Sequence, residues 1–327
     1  MRRRDFVAGL LLAAAIKRAD CQEHAKPYHM AVVAGNYPTP AMTETGPARA
    51  FFQELRRLGY AEGQNLVVHR YSGEGQKEHY DELAREVVRL KPDVIFAIAV
   101  PIALKLKAAT ATIPIVGLVA DPMGTGLVSQ LARPDSNFTG VTLDVDIRIW
   151  GKRLELLKEA RPELSKVGVV TPSINYYRPE LQKACQLLGC SVLNLQPEGP
   201  LQEMEYRRLI AAMVQNGADA LVVGDGDENV AYRRVIVELA GTYRVPTMYP
   251  LRSFAESGGF MSYGVDLAEI LRHAAGQVDK VLKGANPREI PVYQATKFEL
   301  VINLKTAKSL DLTIPSSLLA SADEVID

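Results

Sequence analysis

The chain alternates short apolar runs with longer amphipathic stretches. His29–Val33, Leu66–Arg70, Val94–Ile98, Pro114–Ala120 and Phe138–Thr142 are the short runs of the first half. Each reads as a strand, and Val94–Ile98 is of the apolar kind buried on both faces of a parallel sheet. Between them, Pro47–Leu58 puts Phe51, Leu55 and Leu58 on one face and predicts an amphipathic helix. Further helices are predicted from Lys77 to Leu90, from Pro101 onward, and near Gly126–Ala132. Strands alternating with helices over short connections predict a parallel, doubly wound sheet.

The pattern then restarts. A helix over Arg148–Ala160 leads to a strand at Val167–Val170, a helix from Pro179 and a strand at Ser191–Leu195. A helix over Glu203–Gln215, a strand at Ala220–Val223, a helix near Val230–Tyr243 and a strand at Thr247–Pro250 complete a second lobe. The strand-like Phe260–Tyr263, a helix over Leu267–Leu282, the strand-like Phe298–Ile302 and a short tail have no series of their own. They are expected to complete the two earlier sheets, so that the chain crosses between lobes more than once. The predicted fold class is α/β, with two Rossmann-like lobes.

One strand–turn–helix unit carries the functional expectation. After Val94–Ile98, Pro101 stands in the first turn of the next helix, where proline is best tolerated. Ala99 and Val100 therefore lie beside a helix N-terminus, whose free N–H groups and dipole attract an anion such as a carboxylate. Ligands of open α/β sheets bind off the carboxyl ends of the strands, so this edge is expected to form one jaw of a cleft.

Composition narrows the class. The 327 residues are 47% hydrophobic and 23% charged, which is ordinary for a globular protein, and the length fits two lobes. Lys+Arg and Asp+Glu balance at 38 each, which gives no reason to expect nucleic acid or an anionic membrane as partner. The N-terminus is biased. Arg2, Arg3 and Arg4 precede an apolar stretch from Phe6 to Ile16, too short to span a bilayer and fitting a signal peptide over residues 1–21. Arg3-Arg4-Asp5-Phe6 resembles a twin-arginine export motif. Ala19-Asp20-Cys21 offers small residues for cleavage, although Lys17 and Arg18 are unusual just before them. Cys21 as a lipid-anchor cysteine is disfavoured, because apolar residues are missing ahead of it. A buried N-terminal helix is the alternative, opposed by three arginines against the helix dipole.

Of the remaining cysteines, Cys185 and Cys190 bracket a helix end closed by Gly189. Five residues is too long a step along a helix for good disulfide geometry, unless the chain reverses at Gly189. Two free thiols are the expectation. Other signals fail: Asp225–Asn229 begins like a calcium loop, but Val230 and Ile236 stand where Gly and Glu are needed. No phosphate loop, Gly-x-Ser-x-Gly elbow or metal-ligand spacing is present. Asn137-Phe138-Thr139 matches a glycosylation sequon but reads as strand.

Several stretches resemble a known family. They are Leu58–Asn65, Ala120–Gly124, Ser129–Pro134, Asn137–Thr142, Lys152–Lys158, Gly258–Gly264 and Thr296–Lys308. The chain resembles the substrate-binding component of ABC uptake transporters, in a group related to tryptophan- and tyrosine-type binders. The resemblance runs from Tyr28 onward. It implies the type I periplasmic binding protein fold: two lobes joined by a multi-strand hinge, residues 28–142 plus 265–289 in the first and 143–264 plus 290–327 in the second. It implies a periplasmic monomer, freed of its signal peptide, that binds an amino acid or other small, often aromatic, carboxylate and passes it to a permease in the inner membrane. It implies no cofactor, metal or catalytic residue. The family's usual Gly-Thr-Pro or Gly-Ser-Pro turn reads Ala99-Val100-Pro101 here, which leaves only backbone donors for an anion.

Candidate ligand contacts are Asn36, Val100, Pro101 and Asp121 from the first lobe, and Ser173, Asn175, Tyr176, Asp225, Tyr249 and Arg252 from the second, with Tyr263 near a crossing. Asp121 is equally a turn or cap residue before Pro122. Tyr176 and Tyr249 are sandwich or packing residues. Arg252 pairs with a carboxylate or is solvated, and Tyr263 has a ligand or hinge role. Two other functions stay open: a sensor of the same fold signalling to a receptor, and an α/β enzyme in the same cleft, disfavoured because no nucleophile–base pair is visible.

Overall fold

The computed structural model describes residues 26–39, 42, 46–143, 149–171 and 178–327. The expected signal peptide with Cys21, and the candidates Ser173, Asn175 and Tyr176, lie outside the described residues.

The first series is β1 (Tyr28–Ala34), α1 (Gly46–Arg57), β2 (Leu66–Ser72), α2 (Tyr80–Arg89), β3 (Val94–Ile98), α3 (Val100–Ala109), β4 (Ile115–Val119) and β5 (Phe138–Thr142). The second begins with α4 (Ile149–Ala160), β6 (Lys166–Val170), α5 (Arg178–Leu187), β7 (Ser191–Leu193), α6 (Glu203–Gln215) and β8 (Ala220–Val223). It continues with α7 (Asp227–Ala231), α8 (Arg233–Thr242), β9 (Thr247–Tyr249), α9 (Arg252–Glu256) and β10 (Met261–Val265). Last come α10 (Leu267–Leu282), β11 (Tyr293–Gln294), β12 (Phe298–Asn303), α11 (Leu304–Ser309), α12 (Ser316–Ser321) and β13 (Glu324–Ile326).

Among the described residues the strands form two sheets, ordered β11-β5-β4-β3-β1-β2 and β13-β12-β10-β9-β8-β6-β7. The pairings are parallel except β10 with β12. Each lobe repeats one order: its second strand, first, third, fourth, fifth. The strand order therefore reverses beside β1 and β3 in one lobe and beside β6 and β8 in the other, and such a switch point opens a crevice at the strands' carboxyl ends.

Alternation along β1 explains the layering. Met30, Val32 and Ala34 join Phe51 and Leu55 of α1 and Ile270, Ala274 and Val278 of α10. Ala31 and Val33 point the other way, to Tyr80, Ala84 and Val87 of α2 and Ile102 and Leu106 of α3. Period-two alternation in a doubly covered sheet makes both faces apolar. The second sheet repeats this, with Tyr206, Ile210 and Met213 of α6 on one face and Trp150, Leu154 and Leu157 of α4 on the other. The N-terminus of α10 is capped by Asp266, whose carboxylate accepts from the Glu269 N–H at 3.0 Å.

Two expectations are corrected, and the unassigned tail gains structure. The segment after Asp121 forms turns, with no helix over 126–132; Gly126 at φ +77 takes a left-handed conformation that stops a helix from starting there. The tail folds into α11, α12 and β13, which extends the second sheet. Residues 290–327 do not all join the second lobe, because β11 pairs with β5 in the first sheet. The chain thus leaves the first sheet after Thr142, returns after Val265, and crosses again between Gln294 and Phe298. Among the described residues no helix is long and apolar enough to cross a membrane.

Candidate functional site

A cavity of about 150 Å³ lies where the carboxyl ends of the two sheets meet. Asn36 follows β1, Val100 and Pro101 follow β3, Ala120 follows β4 and Leu143 follows β5; Asp225, Gly226 and Glu228 enter from the second lobe after β8. The α/β switch point places them there, since each residue leaves a strand end.

The first-lobe wall is built tightly. Tyr80 is buried, and its hydroxyl donates to Asn36 Oδ1 at 3.4 Å. Two glycines make room for its ring: a Cβ at Gly35 would sit 2.9 Å from the Tyr80 oxygen, and one at Gly73 would sit 2.3 Å from a ring carbon. Ala99 caps α3 at φ +92 and ψ 144, a conformation L-residues rarely adopt. The bend it makes turns the N-terminus of α3, with its free N–H groups, towards the cavity.

The second-lobe wall is charged and braced from behind. Arg153 is fully buried and grips the Asp225 carboxylate with two parallel bonds, Nη1 to Oδ2 at 2.8 Å and Nη2 to Oδ1 at 2.7 Å. Its Nε donates to the Tyr263 carbonyl at 2.8 Å. This planar fork fixes the orientation of the carboxylate, while the Asp225 side chain keeps 25% exposure and can still accept from a cation. Asn229 is buried and accepts from the Tyr206 hydroxyl at 2.8 Å. Its Nδ2 donates to the Val170 and Gly224 carbonyls at 3.1 and 2.9 Å, so it ties the ends of β6 and β8 together. Burial, then the charge of Glu228, pushes the Tyr206 phenol up, so it remains a donor to Asn229. Lys77 of the first lobe and Glu228 of the second, both on the cavity, form an ion pair at 3.2 Å.

Of the residues singled out from sequence, Asn36, Val100, Pro101 and Asp225 come together on this cavity. Of the other described candidates, Asp121, Tyr249, Arg252 and Tyr263 do not line it. Asp121, at φ +37, accepts from the Gly124 N–H at 2.8 Å and serves its own turn. Tyr249 is buried and stacked on Phe254, with ring centroids 5.0 Å apart. Arg252 turns into a carboxylate cluster, with Glu256 and Glu299 each at 3.0 Å and Glu324 as a third partner. The Tyr263 ring stacks on Phe298 at 5.7 Å. Sequence reasoning missed Lys77, Tyr80, Glu228 and Arg153. For Arg153 a signal existed: it falls on the stripe of Trp150, Leu154 and Leu157, all buried, where an arginine must have a partner. Among the described residues no group of three or more His, Cys, Asp or Glu is arranged to hold a metal ion.

Two α/β lobes with matching strand orders and a cavity shared between them define a binding protein of the type I periplasmic class. The chain belongs to the ABC transporter substrate binding protein family, which it matches over residues 40–326; the family consists of non-catalytic transporter components. It is 27% identical over 270 residues to a tyrosine-binding protein of Clostridioides difficile (strain R20291), covering 81% of this chain and 76% of that one. A crystal structure of a conserved domain protein from Vibrio cholerae is 28% identical, with a TM-score of 0.81, and covers 92% of this chain and 100% of that one. A structure from Streptococcus pneumoniae, described as an ABC domain in complex with L-Trp, has the same fold at a TM-score of 0.80, with 23% identity and 92% and 100% coverage.

Proposed function

We propose that this protein is exported to the periplasm, captures an amino acid with an aromatic side chain, or a related small aromatic carboxylate, between its lobes, and delivers it to an ABC permease. The observation that carries the reading is the cavity lined from both lobes, with helix N–H donors on one wall and a braced carboxylate on the other. The ligand carboxylate is received at the N-terminus of α3, where Pro101 supplies no donor and the remaining N–H groups do. The ligand ammonium is received by Asp225, and Tyr80, Pro101, Leu118 and Leu143 surround the body. The names of the similar proteins support an aromatic amino acid, since one is called tyrosine-binding and another holds L-Trp. Both lobes supply contacts, so ligand favours the closed arrangement and shifts the population towards it.

A thermal-shift screen with amino acids and aromatic acids tests the reading, because a ligand that binds only the folded state raises the melting temperature. Tyrosine or tryptophan is expected to give the largest rise. Silence across the panel defeats the proposal. Asp225→Asn is expected to weaken amino-acid binding at least about tenfold, or about 1.4 kcal/mol, by calorimetry. Deleting the gene should abolish uptake of the solute; loss of a response with uptake intact would favour the sensor.

A further inference from the structure

Helix α5 ends in a turn that reverses the chain through Gly189, at φ +68. The Gly189 N–H donates to the Gln186 carbonyl at 3.4 Å, and the Cys190 N–H donates to the Cys185 carbonyl at 2.8 Å. This is the Schellman arrangement, in which the residue after the glycine folds back over the helix's last turn and the two side chains meet. In most such turns the pair is apolar. Here both members are cysteines. Cys185 is buried against the α4 face of the second lobe, and Cys190 is half-buried. The five-residue separation that disfavours a disulfide along a straight helix is removed by the reversal.

We infer that Cys185 and Cys190, both free thiols in this structure, are a built dithiol that closes to an intramolecular disulfide on meeting a disulfide oxidant such as oxidised glutathione. Burial pushes the Cys185 thiol up, with the Cys190 contact adding to it, so the more accessible Cys190 reacts first. Its thiolate attacks one sulfur of oxidised glutathione, the glutathione S–S bond breaks, and one glutathione thiolate leaves. Cys185 then gives up its proton and attacks the Cys190 sulfur, releasing the second glutathione thiolate. Two protein thiols are oxidised and one glutathione disulfide is reduced to two thiols. The bond ties the C-terminal end of α5 to β7, the edge strand of the second sheet. The inference stands on the turn geometry and is independent of the ligand; the proposed export would supply the oxidising surroundings.

The test uses the full chain treated with oxidised glutathione, with free thiols then blocked by iodoacetamide. Trypsin leaves Ala184–Arg207 as one peptide holding both cysteines and separate from Cys21. The expected result is that peptide unalkylated and about two mass units lighter than its reduced form. Cys185→Ala should carry glutathione on Cys190, and Cys190→Ala should leave Cys185 reduced. The oxidised wild type should melt above the reduced protein, a difference absent from Cys190→Ala. Alkylation of both cysteines, stable glutathione on both, or cross-links only between molecules would overturn the inference.

Discussion

Ala99 holds a backbone conformation suited to glycine. Its N–H donates to the Leu118 carbonyl and its carbonyl accepts from Ala103, both at 3.1 Å, so the surroundings impose the angle. A residue held this way stores on the order of 1–3 kcal/mol. Ala99→Gly should relieve it, at the cost of greater chain entropy when unfolded. The expected net gain is about 1 kcal/mol in urea denaturation; a loss would show that the methyl group's packing outweighs the strain. His69 gives a second test. Burial, and the neighbouring His29 ring nitrogen at 3.1 Å, hold its pKa below the ordinary value of 6.5. The unfolded chain therefore binds the proton more readily, so this contribution to stability is intact above about pH 6.5 and is lost as pH falls below it. A His69→Gln variant should show a flatter stability profile in that window. Single residues were the hardest to read from sequence. Tyr249 ends β9 and Arg252 follows it, but their side chains turn to Phe254 and to Glu299 and Glu324, partners that no local pattern identifies.

At the scale of elements, Asn229 does what a loop alone does not. Its amide joins the carbonyls at the ends of β6 and β8 and receives Tyr206 from α6. Asn229→Ala leaves three buried polar groups without this partner, so about 2–4 kcal/mol of stability should go, with ligand affinity falling as well. Tyr206→Phe should cost only about 1 kcal/mol, because the asparagine keeps its two carbonyls. Paired denaturation and calorimetry would separate these outcomes. The elements themselves were legible. A five-residue apolar run marked β3, and the stripe of Phe51 and Leu55 marked α1, because each pattern reports burial directly. The late elements were less so. Tyr293–Gln294 is too short to carry any period, and only pairing with β5 places it.

Across the whole molecule, the two lobes touch through Lys77 and Glu228 at the cavity. Lys77 is 60% exposed and Glu228 25%, so the pair is worth no more than about 1 kcal/mol and weakens with salt. Lys77→Ala should lower ligand affinity by at most about fivefold, and should make affinity less sensitive to ionic strength. An unchanged salt response in calorimetry would mean the contact does not contribute to closure.

Neither lobe is one unbroken stretch of chain. Helix α10, which covers one face of the first sheet and packs on α1, comes after the whole second series, and β11 follows it. As the protein is synthesised, α1 alone covers that side of β1 and β3 until most of the polypeptide has left the ribosome. The nascent first half therefore keeps an unfilled apolar strip beside α1 until residues 267–282 emerge.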